Sequence, residues 1–459
     1  DEARVTRGSV AGTITTNDGA PLSGSDVVLQ DPNTGLAAFG AATGRDGAFR
    51  IEAVRPGTYI ARATFVGFDQ AEQVVTVVSG EAVRVKLVLS RVAIPQPGVV
   101  VTARRSRPRL APVTVSSVSK AELGRQPSMK DLPAQLATLP STTWYSENGN
   151  GIGYSYLHIR GFGQRRIAVA VNGIPQNDPE EFNVFWINFF DLQGVVEDIQ
   201  VQRGAGSAFY GPAAIGGAID IRAMPYRPYP YASVHAGYGA FQTRRFTAEA
   251  NTGLLGGRWV GFARVSRLLS DGYRDWSWAE FWRFFGGVTR FGDRSTLTVQ
   301  AYGGPQRDGL AYIGIPKEAN DGEVSDGWGG TLDRRSNYSA LTRDLEWFHQ
   351  PHAEVFHELE LSSSVRLDQS LFWMRGVGYF DFDGTFRSAN YLRLPDGVVA
   401  ADERDAPLYA VRPDIPLLFR ATLDQWQVGW LPKLTIEGAA GTTKLGLEAR
   451  LHRSRRWGR

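Results

Sequence analysis

Asp198-Ile199-Gln200-Val201-Gln202-Arg203-Gly204, Ser207-Ala208-Phe209-Tyr210-Gly211 and Ala214-Ile215-Gly216-Gly217-Ala218-Ile219-Asp220-Ile221 form the stretch on which the fold turns. Short apolar runs alternate with glycine. Gly204, Gly211, Gly216 and Gly217 permit φ > 0 and close backbone approach, so the stretch reads as short strands joined by tight turns. Around it, residues 111–226 read as a mixed α/β domain of roughly a hundred residues. Val113-Thr114-Val115 alternates like a strand, and Ile167 to Val171 is another short strand. Lys120 to Leu139 has helical spacing, with Ser119 as N-cap, Glu122 three residues on, and Leu132, Leu136 and Leu139 on one face. A loop, Asn148-Gly149-Asn150-Gly151, follows.

Downstream, residues 227–459 change to long alternating segments. In Thr296 to Tyr302, Leu297, Val299 and Ala301 oppose Thr296, Thr298 and Gln300. Glu358 to Leu367 and Lys444 to His452 alternate in the same way. A period of two with unlike faces is the mark of a strand. Short turns alternating with long polar loops suit an antiparallel transmembrane β-barrel, with Trp259, Tyr302, Trp347 and Trp430 placed for aromatic girdles. The alternative is a soluble β-sandwich. No run of 18 apolar residues is present, so no transmembrane helix is expected.

Upstream, residues 1–90 read as a small β-sandwich. Val27-Val28-Leu29, Tyr59-Ile60 and Val83 to Leu89 are separated by the turn signals Asn17-Asp18-Gly19, Asp46-Gly47 and Pro56-Gly57. Residues 91–110 read as an extended linker, with Pro95, Pro97 and Pro108 around Val99-Val100-Val101. Net charge is +3 over 459 residues, with arginines scattered among acids, so no nucleic-acid partner is expected. The chain has no cysteine, which excludes disulfides, thiolate metal sites and thiol catalysis. Asp1 opens a polar stretch, as expected of an exported protein whose signal has been removed.

Three motifs occur in order. Ile159-Arg160-Gly161-Phe162 resembles the Ile-Arg-Gly signature of the plugs of TonB-dependent outer-membrane receptors. Ala170-Val171-Asn172-Gly173-Ile174-Pro175-Gln176-Asn177-Asp178 resembles their Asp-Gly-Ile-Pro segment, with Asn172 where Asp is usual, a change that still tolerates a turn. The stretch from Asp198 to Ile221 resembles the closing plug motif nearly end to end. The N-terminal segments Gly12-Thr13-Ile14, Thr43-Gly44-Arg45-Asp46-Gly47-Ala48-Phe49 and Pro56-Gly57-Thr58-Tyr59 resemble the carboxypeptidase-regulatory-like domain, a non-catalytic prealbumin-like sandwich. The resemblance covers essentially the whole chain, with its specific motifs between residues 98 and 225.

The resemblance implies a plug inside a barrel, a TonB box at Val99-Val100-Val101-Thr102-Ala103, and outer-membrane lipid and the TonB complex as partners. An extended apolar segment can add a strand to a partner's sheet edge through main-chain bonds. Arg160 and Arg203 are expected to reach carboxylates on the wall or in the plug, as a latch or as ordinary packing. Ligand would bind above the plug apex. Candidate contacts are Tyr145, Tyr154, Tyr156, Asn177 and Trp186 on the plug, and Trp276, Trp278, Tyr312 and Trp328 in barrel loops. Ser270 to Asp275 and Tyr312 to Pro316 look like segments of ferric-chelate receptors, including the ferric-citrate type, and cavity-facing arginines would suit anionic chelates. Iron would be cargo within the chelate, with no resident cofactor or metal. The alternative cargo is a glycan or peptide taken up with a surface lipoprotein.

An enzyme is not expected. His357-Glu358-Leu359-Glu360 has a His-x-x-Glu spacing, but in a strand the two ligands would face opposite sides. A plugged barrel implies about 22 strands. At about 9–11 residues each, plus turns, that is roughly twice the length after residue 226. The sequence is therefore expected to hold about half of such a wall, and its tail from Leu451 to Arg459 reads as lacking a closing amphipathic strand.

Overall fold

The computed structural model describes residues 7–17, 19–32, 37–65, 68, 70–90, 114–125, 128–205, 214–325, 329–383, 418–438 and 441–458. Two compact units are present, Asp1–Pro97 and Gly98–Arg459.

Among its described residues the first unit is a seven-stranded sandwich. One sheet sets Gly8–Thr16 between Ala48–Val54 and Ala82–Leu89; the other runs Ala37–Ala42, Asp26–Gln30, Gly57–Thr64, Ala71–Val77. Alternate residues Val27, Leu29, Phe49, Ile51, Val75, Val77, Val85 and Leu87 fill the space between the sheets. The turn at Asp46-Gly47 is set locally: Gly47 takes φ +72° and the Asp46 carboxylate accepts the Ala48 N–H.

In the second unit a plug packs on a wall. The plug sheet orders Ile174–Pro175, Ile167–Val171, Gly217–Arg222, Asp198–Arg203 and Thr114–Ser119, with Ile167–Val171 and Gly217–Arg222 parallel. A smaller sheet joins Thr142–Ser146, Ser155–Ile159 and Phe162–Gly163. The expected capping box is present: Glu122 accepts the Ser119 N–H, and Ser119 Oγ accepts the Glu122 N–H. The single helix expected over Lys120 to Leu139 is instead two, Lys120–Arg125 and Leu132–Leu136. The sequence gives the reason: Gly124 and Pro127 weaken helix propagation between them, and Pro133 suits a fresh first turn.

Among the described residues the wall is a twelve-stranded antiparallel sheet running from Pro230–Gly239 to Gly441–Gly446 and Ala449–Gly458. Its two ends are not paired with each other among the described residues. Two of its breaks lie side by side. Gly303-Gly304 interrupts the run from Ser295 to Gly309, and Gln350-Pro351 the run from Leu345 to Ser362. At Gly304 a Cβ would stand 2.0 Å from the Trp282 carbonyl, so only glycine fits.

The burial phase separates a membrane wall from a soluble sandwich. In Ser295–Gly303 the apolar Leu297 and Val299 are 36% and 49% exposed, whereas Thr298 and Gln300 are 2% and 1% exposed. Leu371 and Trp373 likewise face out while Asp368 and Ser370 are buried, and Val428 and Trp430 face out while Gln427 is buried. Apolar outside and polar inside is the arrangement lipid requires. No helix among the described residues is long and apolar enough to cross a membrane.

Three expectations about the wall change. Trp259, Trp347 and Trp430 are exposed as girdle residues would be, but Tyr302 turns inward, donating to Glu354 Oε1 at 2.9 Å and stacking on His352. Lys444 to His452 is broken at Leu447-Glu448 into two strands, both paired with Leu418–Gly438. The tail is itself a strand, Ala449–Gly458. Its arginine-rich composition hid the period that backbone pairing supplies.

Candidate functional site

The plug core continues into the wall: Leu132, Leu157, Ile167, Val169, Ile199 and Ile219 share one cluster with Phe262, Phe285 and Tyr302 of the wall. The plug sequence motifs build this contact. Asn172 adopts φ +50° and Gly173 φ +80° in the turn after Ile167–Val171. The Asn172 amide is buried and doubly used, donating to Ala223 O at 3.0 Å and accepting the Ala223 N–H at 2.8 Å. Pro175 ends the short strand beyond it, and the Asp178 carboxylate accepts the N–H groups of Glu180 and Glu181. Gly161 and Gly204 take positive φ. Gly216 and Gly217 are needed for closeness instead, against Phe162 and the Gln202 carbonyl. Tyr210 and Gly211 lie outside the described residues, as does the segment Val99, Val100, Val101, Thr102, Ala103.

The expected carboxylate partners of Arg160 and Arg203 are not found among the described residues. Arg203 donates to Pro140 O, and Arg160 is an exposed residue at φ +52°. The plug–wall ion cluster has the opposite polarity. Asp191 of the plug binds Arg245 and Arg264 of the wall, and Arg264 also binds Glu249.

Between the plug apex and the wall, at the end bearing the long loops, lies a cavity of about 760 Å³. That volume suits a small organic ligand. On the plug side Tyr145 and Tyr156 are cross-strand neighbours stacked at 4.8 Å, with His158 beside Tyr145. Tyr154 donates to Glu346 at 2.5 Å and meets Tyr312 edge-on, and Tyr312 stacks on Phe382. The wall adds Phe348, Phe380, Phe419, Trp426 and Trp457. Arg165, Arg166 and Arg456 reach the cavity, but Arg456 is paired with Glu180 and Glu181, and Arg165 with Glu181.

Of the nine ligand candidates, Tyr145, Tyr154, Tyr156, Asn177 and Tyr312 come together here. Asn177 contributes structure: its amide accepts from Val169 N and donates to Ile167 O and Phe182 O. Trp186 is instead a core residue of the plug. Trp276 and Trp278 pack on each other away from the cavity, with Trp276 Nε1 donating to Asp344 O. Trp328 lies outside the described residues. Sequence reading missed Glu346, Phe380, Phe382, Phe419 and Trp426. Glu346, Phe380, Phe382 and Phe419 share the inward phase of their strands, which is the signal that marks them; Trp426 has the phase of Val428 and Trp430 and carries no such signal.

Arg274 builds the rim. Its five N–H bonds run to carbonyls: Nε to Ser336 O, Nη1 to Glu147 O and Ala311 O, and Nη2 to Ile313 O and Ser336 O. It thus ties the plug tip to both ends of the loop carrying Tyr312. Burial raises the Glu147 carboxyl to about 7, against the hydrogen bond from Tyr156 and the charge of Arg274. His357 and Glu360 lie three apart in the strand His352–Ser362 and so on opposite faces, which gives no zinc pair.

Residues 107–218 match the family model described as TonB-dependent Receptor Plug Domain, and residues 9–90 match the Carboxypeptidase regulatory-like domain. A vitamin B12 transporter of Vibrio vulnificus is 31% identical over 180 residues, 38% of this chain and 28% of that protein. A ferric enterobactin receptor of Pseudomonas aeruginosa is 28% identical over 23% of this chain and 16% of its own length. The fold matches the closed form of the ferric-catecholate import receptor of E. coli K12, with a TM-score of 0.56 and 16% identity, over 75% of this chain and 47% of that one. The chain thus spans under a third of these curated relatives and under half of that solved receptor.

Proposed function

We propose, from the premise that this chain carries the plug of a TonB-dependent receptor behind a carboxypeptidase regulatory-like domain, that it is the ligand-binding and gating part of an energised outer-membrane importer. Its cargo is a ferric chelate. The observation that carries this reading is the aromatic cavity formed jointly by plug apex and wall, because a ligand seated there touches both the gate and its frame. Ligand contact at Tyr145, Tyr154 and Tyr156 alters the plug strands below. The TonB complex adds a strand to Val99-Val100-Val101-Thr102-Ala103 and pulls, and the plug parts from the wall. No covalent step is needed, and iron passes as cargo.

Titrating the full receptor in detergent with ferric catecholates, ferric citrate, cobalamin, oligosaccharides and peptides, read by intrinsic tryptophan fluorescence, tests the cargo. Saturable quenching by a ferric chelate supports the reading. Response to cobalamin alone favours the second reading, suggested by the similarity to a vitamin B12 transporter. Response only to glycans or peptides would move the chain to lipoprotein-assisted uptake. Val100→Pro, which removes a strand-forming N–H, should abolish uptake and leave binding intact.

A further inference from the structure

Glu346 lines the cavity, and Asp308 is its partner across the strands Pro305–Gly309 and Leu345–His349. Directly paired residues leave a sheet on the same face, so both carboxyl groups point inward. Glu346 is satisfied, accepting from Tyr154 at 2.5 Å and from Gln306 Nε2 at 2.7 Å. Asp308 is fully buried, and neither of its carboxylate oxygens has a hydrogen-bond partner among the described residues. No Lys, Arg or His among the described residues forms an ion pair with either carboxylate.

The nearby guanidinium groups are engaged elsewhere. Arg274 directs all five N–H bonds to backbone carbonyls. Arg283 donates to Gly304 O, Ile187 O and Gln306 Oε1. Glu147 and Asp131 also act on Asp308, and neither brings a positive charge to it. Two adjacent buried carboxylates need either a shared proton or a cation. Of the pair only Glu346 lines the cavity, where Tyr154 and Tyr312 meet edge-on beside it and offer ring faces that attract a cation. Two carboxylates framed by aromatic rings suit an organic cation over a hard metal ion, which takes six or more oxygen ligands.

We propose that Glu346 and Asp308 form a subsite for a protonated amine or guanidine carried by the cargo, so that the cavity selects amphiphilic ligands with one cationic arm. This rests on reading the cavity as the cargo site. The test compares phenethylammonium with its neutral counterpart 2-phenylethanol on the full receptor in detergent at neutral pH, by saturation-transfer NMR. The ammonium should bind about tenfold tighter. Glu346→Gln and Asp308→Asn should each bring the ratio close to one while the alcohol's affinity stays. Equal affinities on the unaltered receptor, no binding of the ammonium, or a preference that survives both substitutions would overturn the subsite, the first pointing to a pair that shares one proton. A receptor that binds a ferric chelate without an ammonium preference keeps its function and loses this subsite. Ammonium preference without chelate binding does the reverse.

Discussion

Asp191 of the plug grips Arg264 of the wall as a two-point fork, Arg264 Nε to Oδ2 at 2.8 Å and Nη2 to Oδ1 at 2.9 Å. Arg245 adds a third contact at 2.5 Å. Asp191 holds this geometry from a left-handed backbone position, φ +62°. Such strain persists only where surrounding contacts fix it. Burial pushes the Asp191 carboxyl up, but the Arg264 hydrogen bonds and both arginine charges outweigh it, leaving the group below the ordinary carboxylate range. Its contribution is therefore present above the unfolded-state pKa and is lost as pH falls through the lower folded value. Asp191→Asn leaves two buried guanidinium groups short of an anion, at a cost of about 3–5 kcal/mol in plug–wall cohesion. Hydrogen exchange of residues 186–203 should accelerate in this variant; unchanged protection would show that the fork carries no load.

Gly194→Ala tests the same contact from the other side. A Cβ there would stand 2.2 Å from Arg264 Nη2. An arginine tip usually swings away, but this one is held by Asp191 and Glu249. Plug exchange should therefore rise about as it does in Asp191→Asn, and the double variant should add little beyond either single change, since neighbours in one network do not sum.

Glu147 gives the opposite pH signature. Burial raises its folded pKa to about 7, from an ordinary 4.5. Asp131, buried at the start of the helix Leu132–Leu136 and accepting from Ser155 Oγ, is raised to about 8. A raised carboxylate pKa means that the folded state holds the proton more tightly, so stability is full below the unfolded value and falls as pH climbs through the folded one. Protection of residues 142–159 should decline between about pH 4.5 and 8. Glu147→Gln should remove the part of that decline that begins near pH 4.5 and ends near pH 7. A profile equally steep in Glu147→Gln would assign the effect to Asp131 alone.

Much of this was legible in the sequence because it is local. Val27 and Leu29 alternate into a sandwich core, Asn172-Gly173 makes a turn, and Ser119 with Glu122 caps a helix. Cavity-lining aromatics on the plug were legible where strands present them, as at Tyr145 and Tyr156. What was not legible depended on which face met the plug. Tyr302 and Trp430 look alike as aromatics within strands, yet one is buried against Glu354 and the other exposed. Trp186 reads as an apex residue from its loop but lies in the core, because the short 3-10 turn Trp186–Phe189 folds inward. The polarity of the latch could not be read either, since Arg264 and Asp191 are 73 residues apart.

In the N-terminal sandwich, Leu29 is wholly buried between the sheets. Leu29→Ala removes its packing and leaves a cavity, at a cost of about 2–5 kcal/mol. Thermal unfolding of the full chain followed by exchange in residues 8–89 should show this unit loosening, with the plug unaffected. A loss shared equally by both units would contradict their separation at Pro97 and Gly98.

Asn172 offers the sharpest sequence test, because family resemblance alone would treat Asp as the natural residue there. Its side chain both donates to Ala223 O and accepts from Ala223 N, and only an amide does both at every pH. Asn172→Ala loses the two bonds and places a Cβ residue with no polar compensation at φ +50°. The expected cost is about 2–5 kcal/mol in plug stability. Asn172→Asp keeps the accepting oxygen but sets the second oxygen against the Ala223 carbonyl. This variant should be weaker than the unaltered chain at neutral pH and recover as acid protonates the carboxyl, since the protonated form regains a donor. Urea unfolding of the plug at pH 5 and pH 8 reads the difference. Stability equal to that of the unaltered chain at pH 8 would mean that Ala223 shifts to suit the carboxylate, and the amide would then matter only as a turn former.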